Sequence, residues 1–285
     1  MQCETRRTMI VEADEVASTP AYASITTLVP DWSVSSRVTA FTTTRLGGVS
    51  LAPYDSLNLG LHVNDVRSDV EENRRRLQDS FALPSSPRWL NQTHSSGVIK
   101  LSREDVCRQV EADDSDKVTS DTIRSADGAW TDTVDTVLAV LTADCLPVVI
   151  SARDGTQVSV IHAGWRGLAA GILGNALAAF GPDVELHAWM GPAIGPSVFE
   201  VGEDVLEAFA ERNPAHRSLF TPRPMKGKYL ADIYGLARAE LNASRSVTVT
   251  GGDYCTYSQA NWFHSYRRDG VKTGRMATVV WISKA

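Results

Sequence analysis

Cys145 and His162, with His94 upstream, are the residues of this chain whose types and spacing could do chemistry. Cys145 follows a strand-like run that begins at Leu141. Residues 146–151 and 157–161 then read as two strands around an Asp154-Gly155 turn, and His162 comes directly after the second. A tight hairpin brings its two outer ends together, so thiol and imidazole are expected to meet. His94 follows a further short extended piece, residues 88–92, and also occupies a strand end. One cysteine and two histidines are a borderline-soft donor set suited to zinc, with copper the alternative. Three protein ligands leave the fourth tetrahedral position open, as in a catalytic rather than a structural site. Water bound there reaches a pKa of about 7, which makes hydrolysis and deamination accessible. The same residues admit a second chemistry, with Cys145 as a thiolate nucleophile and His162 or His94 as its base. Asp144 argues against it, because an adjacent carboxylate raises a thiol pKa whereas a metal cation overcomes that effect. Taken singly, a buried Cys is more often inert core and a strand-end His more often just hydrogen-bonded.

The elements that must position these residues follow from periodicity and punctuation. Residues 37–43 read as a strand feeding a polar loop that carries Arg45, Gly47, Gly48 and Asn58; taken alone, that loop is more often a connector than a binding rim. Residues 65–83 read as a helix with Asp65 as N-cap, Val66, Val70, Leu77 and Phe81 on one side, and Pro84 beyond its end. Its Arg74-Arg75-Arg76 run reads as a solvated face. Residues 104–122 are polar and acidic, an expected exposed insertion. A helix is expected over 168–180, and the row Gly167, Gly171 and Gly174 predicts that it lies hard against the sheet. Strands are expected at 98–101, 185–190, 246–250 and 275–282, and helices at 202–212 and 229–243. Arg166 and the Arg267-Arg268 pair could clamp an anion bidentately, although each is more often a surface ion-pair partner.

Length and composition point to a single domain over residues 32–285 after a loose tail or edge element over 1–31. The net charge of −6 is spread along the chain, which argues against nucleic acid as a partner and for small molecules. No apolar stretch reaches the length of a membrane span. Four scattered cysteines and the lack of a signal-peptide pattern suggest reduced thiols in a cytoplasm.

The motifs Q-T-H at Gln92–His94, T-A-D-C-L-P-V at Thr142–Val148 and H-A-G-W-R-G at His162–Gly167 resemble the YfiH family. So do G-P-A-I-G-P, F-E-V-G, Y-L-A-D-I, G-G-D-Y-C-T-Y and F-x-S-Y-R-R-D-x-x-x-T-G-R-M. That family is also called the peptidoglycan editing factor or multicopper polyphenol oxidase family. The resemblance runs from about Arg37 to Ala285. It implies a mixed α/β (α+β) fold layered α-β-β-α and similar to the cysteine-hydrolase-like catalytic domain of cytotoxic necrotising factor. It also implies a zinc site at His94, Cys145 and His162, and a pocket lined by Arg45 and Asn58, which reverses the connector reading of their loop. Thr93 stands where many members have Val, and Ser95 where many have Gly. The activities implied are phosphorolysis of adenosine, inosine, guanosine and methylthioadenosine, and deamination of adenosine. Asp144 would then serve as acid or base, and Arg45 or Arg166 would orient phosphate. The alternative is an amidase that releases L-Ser from UDP-MurNAc-L-Ser, with Arg267-Arg268 meeting the diphosphate; a non-catalytic nucleotide-binding regulator is a third reading. A laccase fits poorly, because the six histidines form no H-x-H pair. The protein is expected to be a monomer.

Overall fold

The computed structural model describes residues 9–12, 24–102, 124–243 and 245–284. Two sheets form its centre. The first has five antiparallel strands, in spatial order β1 (Met9–Glu12), β2 (Thr26–Val29), β3 (Val38–Thr43), β14 (Met276–Ile282) and β6 (Leu138–Thr142). The second has six, in the order β13 (Thr248–Gly251), β9 (Leu186–Met190), β7 (Leu146–Ala152), β8 (Val158–Ala163), β5 (Gly128–Thr131) and β4 (Val98–Lys100). Its outermost pairs are parallel and its inner ones antiparallel. A small antiparallel sheet of β10 (Glu200–Gly202), β12 (Lys228–Ala231) and β11 (Phe220–Pro222) stands apart.

Alternation along the strands sorts the side chains into three cores. Leu146, Val148 and Ile150 of β7 pack against the helices Trp165–Ala169, Ile172–Leu177, Glu203–Arg212 and Ile233–Asn242. Val149 of the same strand meets Val140 of β6 and Val280 of β14 between the sheets. Ala139 and Leu141 of β6, with Val279 and Trp281 of β14, point the other way and pack with Leu77 of the helix Arg67–Ser80. The layers therefore run helix, sheet, sheet, helix in a mixed α/β fold. All seven residues of β7 are buried, so it reads as an unbroken apolar run rather than an alternating one. Each fully buried Leu, Ile or Val side chain contributes about 1.5–3 kcal/mol of transfer free energy.

The structure departs from the sequence expectations at several places. Thr26–Val29, read within a loose tail or edge element, forms β2, with Leu28 of the strand and Ile25 just before it buried. The run from Leu141 to Cys145 is not one strand: β6 stops at Thr142, and Ala143–Cys145 carry the chain from the first sheet to the second, with Asp144 at φ 88°. The helix expected from Asp65 begins at Arg67 after an extended Val66, and it ends at Ser80. Asp65 accepts instead from the Ser50 hydroxyl and the Asn58 amide, which pull it into the loop. The helix expected over 168–180 is two short ones, broken where Gly171 takes φ 86°, and Gly174 faces open space. Residues 228–231 form β12 before the helix Ile233–Asn242, whose first turn Asp232 caps through the Gly235 N–H. The insertion expected at 104–122 lies outside the described residues. Among the described residues, no helix is long and apolar enough to cross a membrane.

Candidate metal centre

The β7–β8 hairpin sets the first pair. Leu146 lies opposite Ala163 and Pro147 opposite His162, so Cys145, one residue before β7, emerges beside His162. His94 arrives from a separate turn at φ 61°, a left-handed backbone that non-glycine residues seldom adopt. Asp127, fully buried at the start of β5, holds that turn. Its carboxylate accepts from the backbone N–H groups of Thr93, His94 and Ser95 at 3.1, 2.9 and 2.6 Å, and from the Ser95 hydroxyl at 2.7 Å. The same carboxylate lies 2.8 Å from His162 Nδ1. Glycines make room for the assembly. A Cβ on Gly167 would stand 2.6 Å from the Ser95 carbonyl oxygen, and one on Gly164 would stand 2.8 Å from His94 Cδ2 and 3.2 Å from Cys145 Sγ.

One ligand atom from each of His94, Cys145 and His162 lies within 4.8 Å of the others, and Cys145 Sγ is 3.7 Å from His94 Nε2. The hydrogen bond to Asp127 occupies His162 Nδ1 and leaves Nε2 as the ring's ligand atom, the carboxylate–histidine arrangement common behind metals. The donor set and its mutual distances therefore fit a metal such as zinc. Electrostatics favour the deprotonated thiol as well. Burial opposes the Cys145 thiolate, but the charge and hydrogen bonding of His162, with His94 adding to them, bring the thiol down to about 6. Burial likewise opposes the His162 imidazolium, yet the Cys145 charge and the Asp127 hydrogen bond raise it to about 9. Asp127 is held well below the usual carboxylate range, because hydrogen bonds from His162 and Ser95 outweigh the effect of burial. The geometry thus accommodates both sequence readings, a metal triad and a thiolate–imidazolium pair.

The three residues line an open cavity of about 1220 Å³, which exceeds the roughly 300–1,000 Å³ of common ligand sites. Trp89, Trp165, Phe199 and Tyr266 supply aromatic walls. Arg166 lines it, stacked on Trp165 with 4.3 Å to the ring centroid, and so does Arg267, which donates to the Glu200 carbonyl. Asp144 also lines it, but its two carboxylate oxygens accept from the Thr256 hydroxyl and the Arg267 N–H, both at 2.6 Å. Arg45, Asn58 and Arg268 are not among the lining residues. Arg45 braces its own loop against Asp55 and the Ala260 carbonyl; Asn58 is buried against Gly60, Asp65 and Arg275; Arg268 holds Asp269 and three carbonyls.

Sequence reasoning left several residues of the cavity and its backing without a role. Arg74, read as solvated, donates from Nε and Nη2 to the Leu59 carbonyl and stacks on Trp89 at 4.1 Å. His62 and Arg275 also face the cavity, and Asp127 lies behind it. The available signals were slight: Asp127 as a lone acid before a strand, and Arg275 at the end of the T-G-R motif.

Residues 39–283 match the family model described as "Multi-copper polyphenol oxidoreductase laccase". "Purine nucleoside phosphorylase YfiH" of Escherichia coli is 46% identical over 256 residues, 90% of this chain and 98% of that protein. "Purine nucleoside phosphorylase YlmD" of Bacillus subtilis is 31% identical over 276 residues, 91% of this chain and 95% of that protein. A crystal structure of a Neisseria meningitidis protein superposes with a TM-score of 0.80 at 42% identity, over 90% of this chain and 99% of that one.

Proposed function

Because this chain belongs to the multi-copper polyphenol oxidoreductase laccase family, whose curated relatives are named purine nucleoside phosphorylase, we propose that it is a metal-dependent purine nucleoside phosphorylase. The observation that carries the reading is the convergence of His94, Cys145 and His162 in a cavity with aromatic walls. The substrates are adenosine, inosine, guanosine and methylthioadenosine. In phosphorolysis the bond from C1′ to the purine nitrogen breaks, its electron pair leaves on the base, and a phosphate oxygen bonds to C1′. The proton carried by phosphate ends on the purine. Trp89, Trp165, Phe199 and Tyr266 suit a flat purine, and Arg166 and Arg267 offer positive charge to the oxyanion. Zinc held by the triad supplies Lewis acidity and acidifies water, the requirement for adenosine deamination. The likeness to the catalytic domain of cytotoxic necrotising factor belongs to the same proposal, supported by Cys and His at adjoining strand ends in a helix-sheet-sheet-helix stack.

A second reading, release of L-Ser from UDP-MurNAc-L-Ser, is favoured by one observation: the cavity is larger than a nucleoside and phosphate require. One product assay separates the two. Metal-quantified wild type and Cys145→Ala receive each nucleoside or UDP-MurNAc-L-Ser in phosphate buffer, with products identified by mass spectrometry. Free base with ribose 1-phosphate from the wild type alone is expected. Serine as the sole product moves the assignment to the amidase, and no turnover by metal-loaded wild type removes both.

A further inference from the structure

Among the arginines of the cavity wall, Arg275 stands out as mostly buried with part of its fork unpaired among the described residues, although the charges of Cys145 and Asp144 reach it. It sits immediately before β14, mostly buried, on the same cavity as Cys145 and His162. Its stem lies against Gly60, where a Cβ would come within 2.8 Å of Arg275 Cγ. The Arg275 backbone N–H donates to Asn58 Oδ1 at 2.9 Å, so the start of the side chain is fixed. Nη1 donates to the carbonyl oxygens of Thr273 and Gly274, at 2.9 and 3.0 Å. Among the described residues, Nε and Nη2 have no hydrogen-bond partner, and no carboxylate forms an ion pair with the guanidinium. One edge of the fork is thus anchored by neutral acceptors while the other is left to the cavity.

Its neighbours add a second guanidinium and a neutral donor. Arg74 lines the same space, fixed by the Leu59 carbonyl and Trp89. His62 also lines it, and burial together with the charges of Arg275 and Arg74 lowers its pKa, so its neutral ring keeps one N–H to donate. The other arginines are committed or wet. Arg67 pairs with Glu71, and Arg75 with Glu72 and Asp79. Arg267 donates to the Glu200 carbonyl, and Arg166 is exposed, where water satisfies it. A mostly buried guanidinium with two free donor positions calls for a planar or tetrahedral oxyanion that accepts bidentately.

We propose that Arg275, flanked by Arg74 and His62, is the binding seat for orthophosphate beside Cys145. The role of that phosphate as the attacking group rests on the phosphorylase reading; the seat itself is a binding claim that can be tested apart from it. The test uses full-length, metal-quantified wild type, Arg275→Gln, Arg275→Lys and, as control, Arg67→Gln. Orthophosphate affinity is measured by calorimetric titration and by the rise in melting temperature with phosphate, and KM for phosphate and for nucleoside are measured in parallel.

The wild type is expected to bind phosphate, Arg275→Gln to lose at least about tenfold in affinity, and Arg275→Lys to lose less, since it keeps charge but not the fork. KM for phosphate should rise by a similar factor in the lysine variant while KM for nucleoside stays put. Arg67→Gln, at a cavity arginine whose charge Glu71 already answers, should keep wild-type phosphate affinity. If Arg275→Gln does not fold, judged by circular dichroism, the lysine variant decides. Unchanged phosphate affinity in the Arg275 variants, an equal loss of affinity in Arg67→Gln, or no phosphate binding by the wild type overturns the assignment. Phosphate binding that depends on Arg275 in a wild type that cleaves no nucleoside upholds the seat and rejects the phosphorylase reading.

Discussion

Replacing Asp127 by Asn tests the idea that a residue touching neither metal nor substrate builds the centre. In the wild type, six donors converge on its two oxygens: the N–H groups of Thr93, His94 and Ser95, the Thr93 and Ser95 hydroxyls and His162 Nδ1. Asn keeps the shape but offers one oxygen and one NH2. If the NH2 takes the Oδ2 position, the Thr93 and Ser95 N–H groups face a donor; if it takes the Oδ1 position, the His94 N–H and His162 Nδ1 do. Either way two donors go unsatisfied, at about 1–3 kcal/mol each, so the metal-free protein should lose about 2–6 kcal/mol. Metal affinity should fall about 10–100-fold, the usual consequence of removing a carboxylate behind a ligating histidine.

The readouts are urea unfolding of the metal-free proteins and competition with a chelator for the metal. Ser95→Ala, which removes one donor and leaves the carboxylate, is the control, with an expected loss of about 1 kcal/mol. The pH dependence has a definite sign. The folded-state pKa of Asp127 lies below the unfolded value of about 3.9, so its contribution is complete above that value and is lost as pH falls through the acid range. The difference between wild type and Asp127→Asn should therefore hold steady from neutrality to about pH 5 and shrink below pH 4. Stability within about 0.5 kcal/mol of wild type, together with unchanged metal affinity, would refute the reasoning.

Two further outcomes follow from other parts of the site. Gly167→Ala places a methyl group against the Ser95 carbonyl, so it should cost about 1–3 kcal/mol and weaken metal binding, whereas Gly174→Ala meets nothing within 4 Å and should be neutral or stabilise by up to about 1 kcal/mol. Melting temperatures and metal titration decide this, and wild-type metal affinity in Gly167→Ala would show that Gly167 does not seat the His94 turn. In the metal-free protein, the depressed Cys145 pKa means that iodoacetamide labelling, mapped by peptide mass, should stay fast near neutrality and be lost as pH falls through about 6. A labelling midpoint above 8 would show that His162 does not stabilise the thiolate.

The convergence of Cys145 and His162 was legible because a hairpin is local: a turn signal and two apolar runs place its outer ends together whatever the rest of the chain does. The approach of His94 to Cys145 and His162 was expected from a strand over 88–92, but that piece makes only isolated bridges at Arg88 and Asn91, and a turn held by Asp127 places the residue instead. Asp127 stayed ambiguous, because its importance comes from six donors that share no sequence neighbourhood with it. The crossing at Ala143–Cys145 was hidden for a related reason: β6 and β7 are both buried apolar runs, and composition does not say which sheet each joins. Arg74 was misjudged because neighbouring Arg75 and Arg76 do pair with Glu72, as on an ordinary solvated helix face. Asn73 on the same helix is fully buried and ties down the loop through Val49, Ser50 and Asn58, a polar core role that periodicity treats as a surface position.

The position of β14 bears on how the chain is made. It pairs with β3 on one side and β6 on the other, so the middle of the first sheet is filled by the strand that a ribosome delivers after both. Until then β3 and β6 each present an unsatisfied edge, backed by apolar residues such as Phe41 and Val140 that have little to cover them. The early part of the nascent polypeptide is thus a holding state, in need of shielding while translation continues. The residue just ahead of that closing strand is Arg275, so insertion of the sheet's last piece also installs the cavity's buried cation. Backbone completion and charge placement become one event in biosynthesis.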